Sequence, residues 1–168
     1  SPVGPPRRRP RRRERAATRT GPDLTDQEKP RGPGGISWGE YVTLSDAFPD
    51  WRGLRMISID RRLTFLVTSR RHDWFSECLG DLVKVVASGC GILWEVAGQA
   101  TFRLEDHGAG VEGDKTYYFG PNAERMQGPQ NIDLTTQPPP DLAIEVEVTH
   151  SANDAEAAWG RLGAPEVW

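Results

Sequence analysis

Two acidic clusters in the sequence have residue types and spacing that suit metal-dependent hydrolysis. One is Glu112-Gly113-Asp114, at the entry to a predicted strand, and the other is Glu145 with Glu147 on a later strand. Magnesium and manganese prefer oxygen ligands, commonly one or two carboxylates completed by water and a substrate phosphate. A metal held in this way orients and activates water. Spacing alone leaves a second interpretation open, in which these are ordinary solvent-facing carboxylates on an exposed sheet face.

The strand that carries the second cluster is the clearest in the chain, and it is predicted to run from Leu142 to Thr149. Side chains alternate between the two faces of a strand. Ala143, Glu145 and Glu147 therefore share one face. The other face is wholly apolar and is formed by Leu142, Ile144, Val146 and Val148.

The elements before this strand follow from local patterns. A short helix is predicted from Ser37 to Phe48. Two β-prone runs, Arg55–Asp60 and Leu63–Thr68, are separated by two residues and predict a hairpin. A longer helix is predicted from His72 to Ser88. Its apolar stripe is expected to pack on a sheet and consists of Phe75, Cys78, Leu79, Leu82, Val85 and Val86.

The remaining pattern predicts an α/β domain with a mixed central sheet flanked by helices. Three further strands are predicted, at Ile92–Val96, Ala100–Leu104 and Lys115–Phe119. Residues 106–111 are predicted to form a loop, and residues 120–140 a long connection rich in Gly and Pro. A last helix is predicted from Asn153 to Leu162.

The charge of the chain is divided unevenly along its length. Residues 1–35 contain ten Arg and Lys and four Asp and Glu, a net charge of +6, whereas residues 36–168 have a net charge of −9. The first segment is rich in Arg, Pro and Gly and almost lacks large apolar side chains, which predicts a disordered tail. It is either a nucleic-acid-binding arm or a solvated extension, including sequence upstream of the true start.

Composition also narrows the protein class. The two cysteines, Cys78 and Cys90, are too few for a disulfide framework or a four-cysteine zinc site. No apolar run approaches the roughly 18 residues of a membrane span, and no signal peptide is visible. These features predict a cytoplasmic protein that is not a membrane protein.

Several segments resemble the Uma-type restriction endonuclease family of the PD-(D/E)XK nuclease superfamily. Residues 139–149, Pro-Pro-Asp-Leu-Ala-Ile-Glu-Val-Glu-Val-Thr, resemble the Pro-Asp-Leu-x-x-Glu-Val strand of that family. Residues 162–168 are similar to its Gly-Val-Pro-Glu-x-Trp signature. Glu112-Gly113-Asp114 stands where the family has Glu-Pro-Asp, and His72-Asp73 resembles the His-Glu that opens its first long helix. The resemblance covers roughly residues 41 to 168.

This resemblance implies a restriction-endonuclease-like domain over residues 36–168, after a tail over residues 1–35. The implied reaction is magnesium- or manganese-dependent hydrolysis of DNA phosphodiester bonds. The implied catalytic residues are Asp114, Glu145 and Glu147, of which Asp114 and Glu145 bind the metal, with the backbone carbonyl of Val146 as a further ligand. A homodimer is also implied, since many restriction-type nucleases act as dimers.

The sequence departs from the family pattern where the family places a lysine. Glu147 occupies the lysine position of the Glu-x-Lys element, and Ala155 occupies the position from which the following helix supplies one in other members. No lysine follows Lys115. Two alternatives to an active nuclease therefore stay open. One is an inactive relative that binds nucleic acid or a protein, and the other is a domain truncated at its C-terminus, where the family continues into a further strand.

Overall fold

The chain is described by a computed structural model over residues 35–48, 53–128, 131–147 and 153–168. The predicted tail before Gly35 and the predicted strand residues Val148 and Thr149 lie outside these ranges. The elements in chain order are α1 (Trp38–Ala47), β1 (Leu54–Ile59), β2 (Arg62–Val67), α2 (Arg70–Gly89), β3 (Trp94–Val96), β4 (Thr101–Leu104), a short 3-10 helix (Glu105–His107), β5 (Ala109–Glu112), β6 (Lys115–Phe119), α3 (Gly120–Met126), β7 (Leu142–Ile144) and α4 (Asn153–Leu162).

Over the described residues the strands form two antiparallel sheets, whereas the sequence predicts one mixed sheet. One sheet has the order β2-β1-β5-β4 and the other the order β3-β6-β7. Short connections, such as the two residues between β1 and β2, favour antiparallel pairing because a parallel pair needs a long crossover. The parallel pairing found in the described residues is an isolated bridge between Ala143 and Val167. The α/β class itself is confirmed.

The predicted first helix and hairpin are confirmed within one or two residues. Helix α1 begins after Ser37, whose hydroxyl accepts from the Glu40 amide while the Glu40 carboxylate accepts from the Ser37 amide. This reciprocal capping satisfies two amides that the helix start would otherwise leave unpaired. Between β1 and β2, Asp60 and Arg61 both have positive φ, as a two-residue hairpin turn requires.

The predicted loop at residues 106–111 is wrong at its second half, because β5 begins at Ala109 and lies between β1 and β4. Its sequence, Ala-Gly-Val-Glu, has one β-branched residue and gives little strand signal. The small residues are needed for packing. A Cβ at Gly110 would lie 2.6 Å from Cζ of Tyr41, whose ring is fully buried.

Helix α2 is present as predicted, but it packs on the sheet through a different face. Its buried residues are Ser76, Gly80, Val83 and Ala87. The close approach is visible at Gly80, whose carbonyl accepts from the Tyr117 hydroxyl at 3.0 Å. A Cβ at Gly80 would lie 2.7 Å from that hydroxyl, so only a small-residue face can pack here. Five members of the predicted stripe are exposed: Phe75, Cys78, Leu82, Val85 and Val86.

The segment predicted as a long connection contains helix α3. It starts at Gly120, which has a positive φ, and Pro121 follows at the first turn. Proline suits the first turn because its missing amide hydrogen would be unpaired there. The helix packs against β3 and β6 through Ala123 and Met126.

Strand β7 is shorter than predicted, but its alternation is confirmed. Leu142 and Ile144 are buried with Tyr117 and Val83 beside α2, whereas Ala143 is buried with Trp159 of α4. Residues 166–168 pair with the outer edge of β7. The Ala143 amide donates to Glu166 O at 3.0 Å, and the Glu145 amide donates to Trp168 O at 2.8 Å.

None of the helices in the described ranges combines the length and the apolar character that crossing a bilayer requires.

Candidate active site

Asp114 is the centre of a buried polar cluster. It lies between β5 and β6 and is 2% exposed. Its Oδ1 lies 3.3 Å from Arg55 Nη2, and its Oδ2 lies 2.8 Å from His72 Nε2. The same Oδ2 accepts a hydrogen bond of 2.9 Å from the Val146 amide. A buried carboxylate requires such partners, because moving one unpaired charge from water into the protein interior costs roughly several kcal/mol.

Arg55 reaches this cluster from β1. Its neighbours in β1 are apolar, and the residue is nevertheless buried. Besides Asp114 it contacts the carbonyl of Gly113, to which its Nη1 donates at 3.2 Å. The guanidinium therefore fixes both the backbone and the side chain of the turn that carries Asp114.

His72 reaches the cluster from the first turn of α2. Ser69 caps this helix, accepting a hydrogen bond from the His72 amide at 3.3 Å. The imidazole then lies between two carboxylates, with Nε2 toward Asp114 and Nδ1 3.3 Å from Asp73. The sequence favours a surface position for His72 at the helix start over an approach to the metal site. The structure instead places it in contact with Asp114.

Glu145 follows β7 and contacts α4. Its Oε1 accepts a hydrogen bond of 2.6 Å from Trp159 Nε1. Trp159 is fully buried and packs edge to face on Phe102, with ring centroids 5.0 Å apart. Helix α4 thus supplies a rigid donor that holds the second carboxyl.

The two carboxyl groups affect each other electrostatically. Burial raises the pKa of Glu145 to about 8, and the nearby charge of Asp114 adds to this effect. Trp159 and Arg55 act in the opposite direction, and Glu147 raises the pKa slightly further. Glu145 is therefore mostly protonated at neutral pH in the metal-free protein.

Gly113 is explained by the same packing. A Cβ at this position would lie 2.8 Å from Cζ2 of Trp159 and 2.9 Å from Cγ2 of Thr116. The indole that binds Glu145 therefore also packs against the turn that carries Asp114. Any larger residue, including the proline of the resembling family, would displace the ring.

The other acidic residues and Lys115 are placed differently from the central pair. Glu147 is exposed, although its charge reaches Glu145. Glu112 turns toward β1, where its Oε2 accepts from the Met56 amide at 3.2 Å, and burial raises its pKa. Lys115 points away from the cluster, as strand alternation predicts, and its Nζ pairs with Glu77 of α2 at 2.6 Å.

One feature of this cluster favours binding of a divalent cation, and another disfavours it. A buried and a partly buried carboxyl whose charges repel each other are the kind of pair that a cation stabilises. Against this, Arg55 and His72 already pair with Asp114. No set of three or more His, Cys, Asp or Glu side chains in the described part of the chain is arranged to hold a metal. Any magnesium here would thus rely on the carboxylates, water and substrate oxygens.

Sequence reasoning finds the acids of this site and misses the Arg55 guanidinium that pairs with Asp114. Asp114 and Glu145 are predicted from residue type and resemblance, and the structure brings them together. Arg55 gives one weak signal, a charged residue in an apolar run. Its pairing with Asp114 joins strands that are far apart in sequence, so no local pattern reveals it.

Comparisons with known proteins give no assignment for this chain. No family model matches it, and no curated protein matches it. The cluster of Asp114, Glu145, Arg55 and His72 is consequently the basis for any functional conclusion.

Proposed function

We propose that the protein is a metal-dependent endonuclease that hydrolyses DNA phosphodiester bonds, with Asp114 and Glu145 holding Mg²⁺ or Mn²⁺. The observation that carries the proposal is the pair of carboxyls beside the β6–β7 pair, Asp114 buried and Glu145 partly buried, whose charges disfavour each other without a cation. The bound metal would supply a polarised water and charge stabilisation at the phosphate.

The chain's own residues have separate roles in this proposal. Trp159 orients Glu145 through its indole hydrogen, and the Val146 amide orients Asp114. Arg55 and His72 place positive or hydrogen-bonding groups beside the carboxyl pair, where an anionic phosphate oxygen would otherwise be repelled. Glu147, being exposed, is suited to contact solvent or substrate at the rim of the site.

A second candidate function is an inactive relative of the same family that binds nucleic acid or a protein. One observation favours it: the guanidinium of Arg55 lies against Asp114 Oδ1, where it neutralises the charge that would attract a metal. The absent lysine points the same way, because Ala155 stands at that position and is buried.

The test is cleavage of supercoiled plasmid by the full chain with magnesium or manganese. The informative variant is Glu145→Gln, because glutamine retains an oxygen that accepts from Trp159 while removing the charge. We expect it to lower cleavage by at least about 100-fold, as loss of a metal-binding carboxylate does. The matched control is Glu156→Gln, an exposed position on α4, which should cleave as the parent does.

Metal binding measured by calorimetry separates the two candidates. Manganese binding to the parent that Glu145→Gln abolishes supports the nuclease. A folded parent that neither binds metal nor cleaves DNA would exclude the nuclease and leave the inactive relative.

A further inference from the structure

Helix α2 presents an apolar surface to solvent. We name it the outer face of α2; it consists of Trp74, Phe75, Cys78, Leu82, Val85 and Val86. Trp74 is 60% exposed and Val85 is 69% exposed, and Ile92 and Leu93, directly after the helix, are exposed as well. The opposite side of the helix is already packed on the sheet, so the outer face has no partner among the described residues.

We propose that the outer face of α2 is the interface of a symmetric dimer, in which α2 of one copy packs antiparallel to α2 of a second copy of this chain. This inference does not depend on the nuclease proposal. It rests on the area of the face, its symmetry along the helix and the charges at its ends.

The area is suited to a stable association. From their exposed fractions, the six side chains leave about 500 Å² of apolar surface in water, which is at the upper end for a monomer. A stable interface buries about 800 Å² on each partner. The outer face with Ile92 and Leu93 approaches this area and would form its apolar centre.

The pattern along the helix is self-complementary. The six positions are symmetric about the level of Gly80, because Trp74 and Val86, Phe75 and Val85, and Cys78 and Leu82 are equally far from it. A two-fold axis at that level would set the large rings of one copy beside the two valines of the other. A two-fold interface demands such a match, because it uses the same surface on both copies.

Charges at the two ends of the helix support the antiparallel direction. Arg70 and Arg71 lie in the first turn, where they oppose the positive end of the helix dipole, and the last turn has no basic residue. In an antiparallel pair, the arginines of each copy would lie beside the carboxyl end of the other helix. A cation near that end is favoured by the helix dipole, so the antiparallel direction relieves an unfavourable placement in both copies.

The flanks of the face also tolerate this pairing. Glu77 brings no unbalanced charge to the interface, because its carboxylate already pairs with Lys115 of β6 at 2.6 Å. Asp81 would lie near its own counterpart. Lys84 already pairs with Asp81 at 3.1 Å and offsets that repulsion.

The N-terminal segment of the same chain is a poorer occupant. Residues 1–34 contain Val3 and Leu24 as their large aliphatic residues and have no aromatic residue. Such a segment offers little apolar surface to cover six exposed side chains.

The first experiment is sedimentation equilibrium of the full chain across the micromolar range. We expect a dimer for the parent and monomers for both Val85→Glu and Trp74→Lys, which place charge in the interface. Val67→Glu is the control, since Val67 is 71% exposed but lies on β2. It should remain dimeric. Circular dichroism and thermal melting of each variant verify that the exposed substitutions leave the fold intact.

Mixing the two monomeric variants tests the direction and register. In the antiparallel register, positions 74 and 85 lie on the same flank of the face, so position 74 of one copy lies beside position 85 of the other. The ammonium introduced by Trp74→Lys would then meet the carboxylate introduced by Val85→Glu. The mixture should therefore form a heterodimer. A monomeric parent, a dimer that survives Val85→Glu, or a mixture that stays monomeric would overturn the proposed interface.

Discussion

At the scale of single residues, the sequence predicts acidic chemistry better than it predicts the groups that balance it. Asp114 and Glu145 carry their own signals, namely carboxylates beside a strand and a family resemblance. Arg55 and His72 gain significance only when β1 and the start of α2 approach β6. The interaction is therefore a property of the tertiary fold and cannot be read from either segment alone.

Glu145 makes stability depend on pH in a defined direction. Its pKa is about 8 in the folded metal-free protein, against an ordinary value of 4.5. Between these values the folded state binds more protons than the unfolded state, so the free energy of unfolding falls as pH rises. The expected slope from this group is about 1.4 kcal/mol for each pH unit in the window. Urea unfolding of metal-free protein across that window measures it.

The variant Glu145→Gln provides the matched comparison for this prediction. It should remove most of the slope and make the protein more stable than the parent at the alkaline end. An unchanged slope in the variant would show that another group, such as the partly buried Glu112, is responsible.

At the scale of elements, the ends of the first helix and of the hairpin are predicted to within one or two residues, whereas packing faces are not predicted. The helix start at Ser37 and the two-residue connection between β1 and β2 are local features, so the sequence alone locates them closely. Helix α2 shows that sequence periodicity does not identify which face of a helix packs on the sheet. Periodicity finds its apolar stripe, but the sheet accepts only the small residues around Gly80, because Tyr117 lies directly beneath them. Strand β5 is missed for a related reason, since its small residues give no strand signal.

The contact between α1 and β5 makes a testable pair of glycine substitutions. Gly110→Ala should lower the free energy of unfolding by about 1 to 3 kcal/mol, because its methyl group would overlap the buried Tyr41 ring. Gly39→Ala, in α1 with no atom within 4 Å of the added Cβ, should raise it by up to about 1 kcal/mol. Chemical denaturation of both variants measures the difference. Equal effects would show that α1 does not lie against β5.

At the scale of the whole molecule, charge is the feature that bears on DNA. Residues 36–168 have a net charge of −9, which repels a polyanion, whereas residues 1–35 have a net charge of +6. Arg62 and Arg161 are engaged by Asp154 and Asp60, and Arg103 pairs with Asp46. These pairs engage part of the positive charge in residues 36–168, and the net charge there is negative, so we expect the N-terminal residues to supply most of the attraction.

Removal of residues 1–35 tests this expectation. The shortened chain should bind duplex DNA weakly, and its affinity should depend less on salt. Each lost phosphate contact reduces the slope of log affinity against log salt by about 0.9. Fluorescence anisotropy at several salt concentrations measures both quantities. An unchanged slope would locate the DNA contacts in residues 36–168.

The pairing of residues 166–168 with β7 has a consequence for protein synthesis. The amides of Ala143 and Glu145 are held by carbonyls of Glu166 and Trp168, and Trp159 holds the Glu145 side chain. All of these partners are translated after the strand that they hold. A nascent chain that has left the ribosome only as far as residue 147 contains Asp114 and Glu145. It still lacks the residues that hold the backbone of β7 and the side chain of Glu145. The site therefore assembles late, after the sheet of β1, β2, β4 and β5 has all its strands.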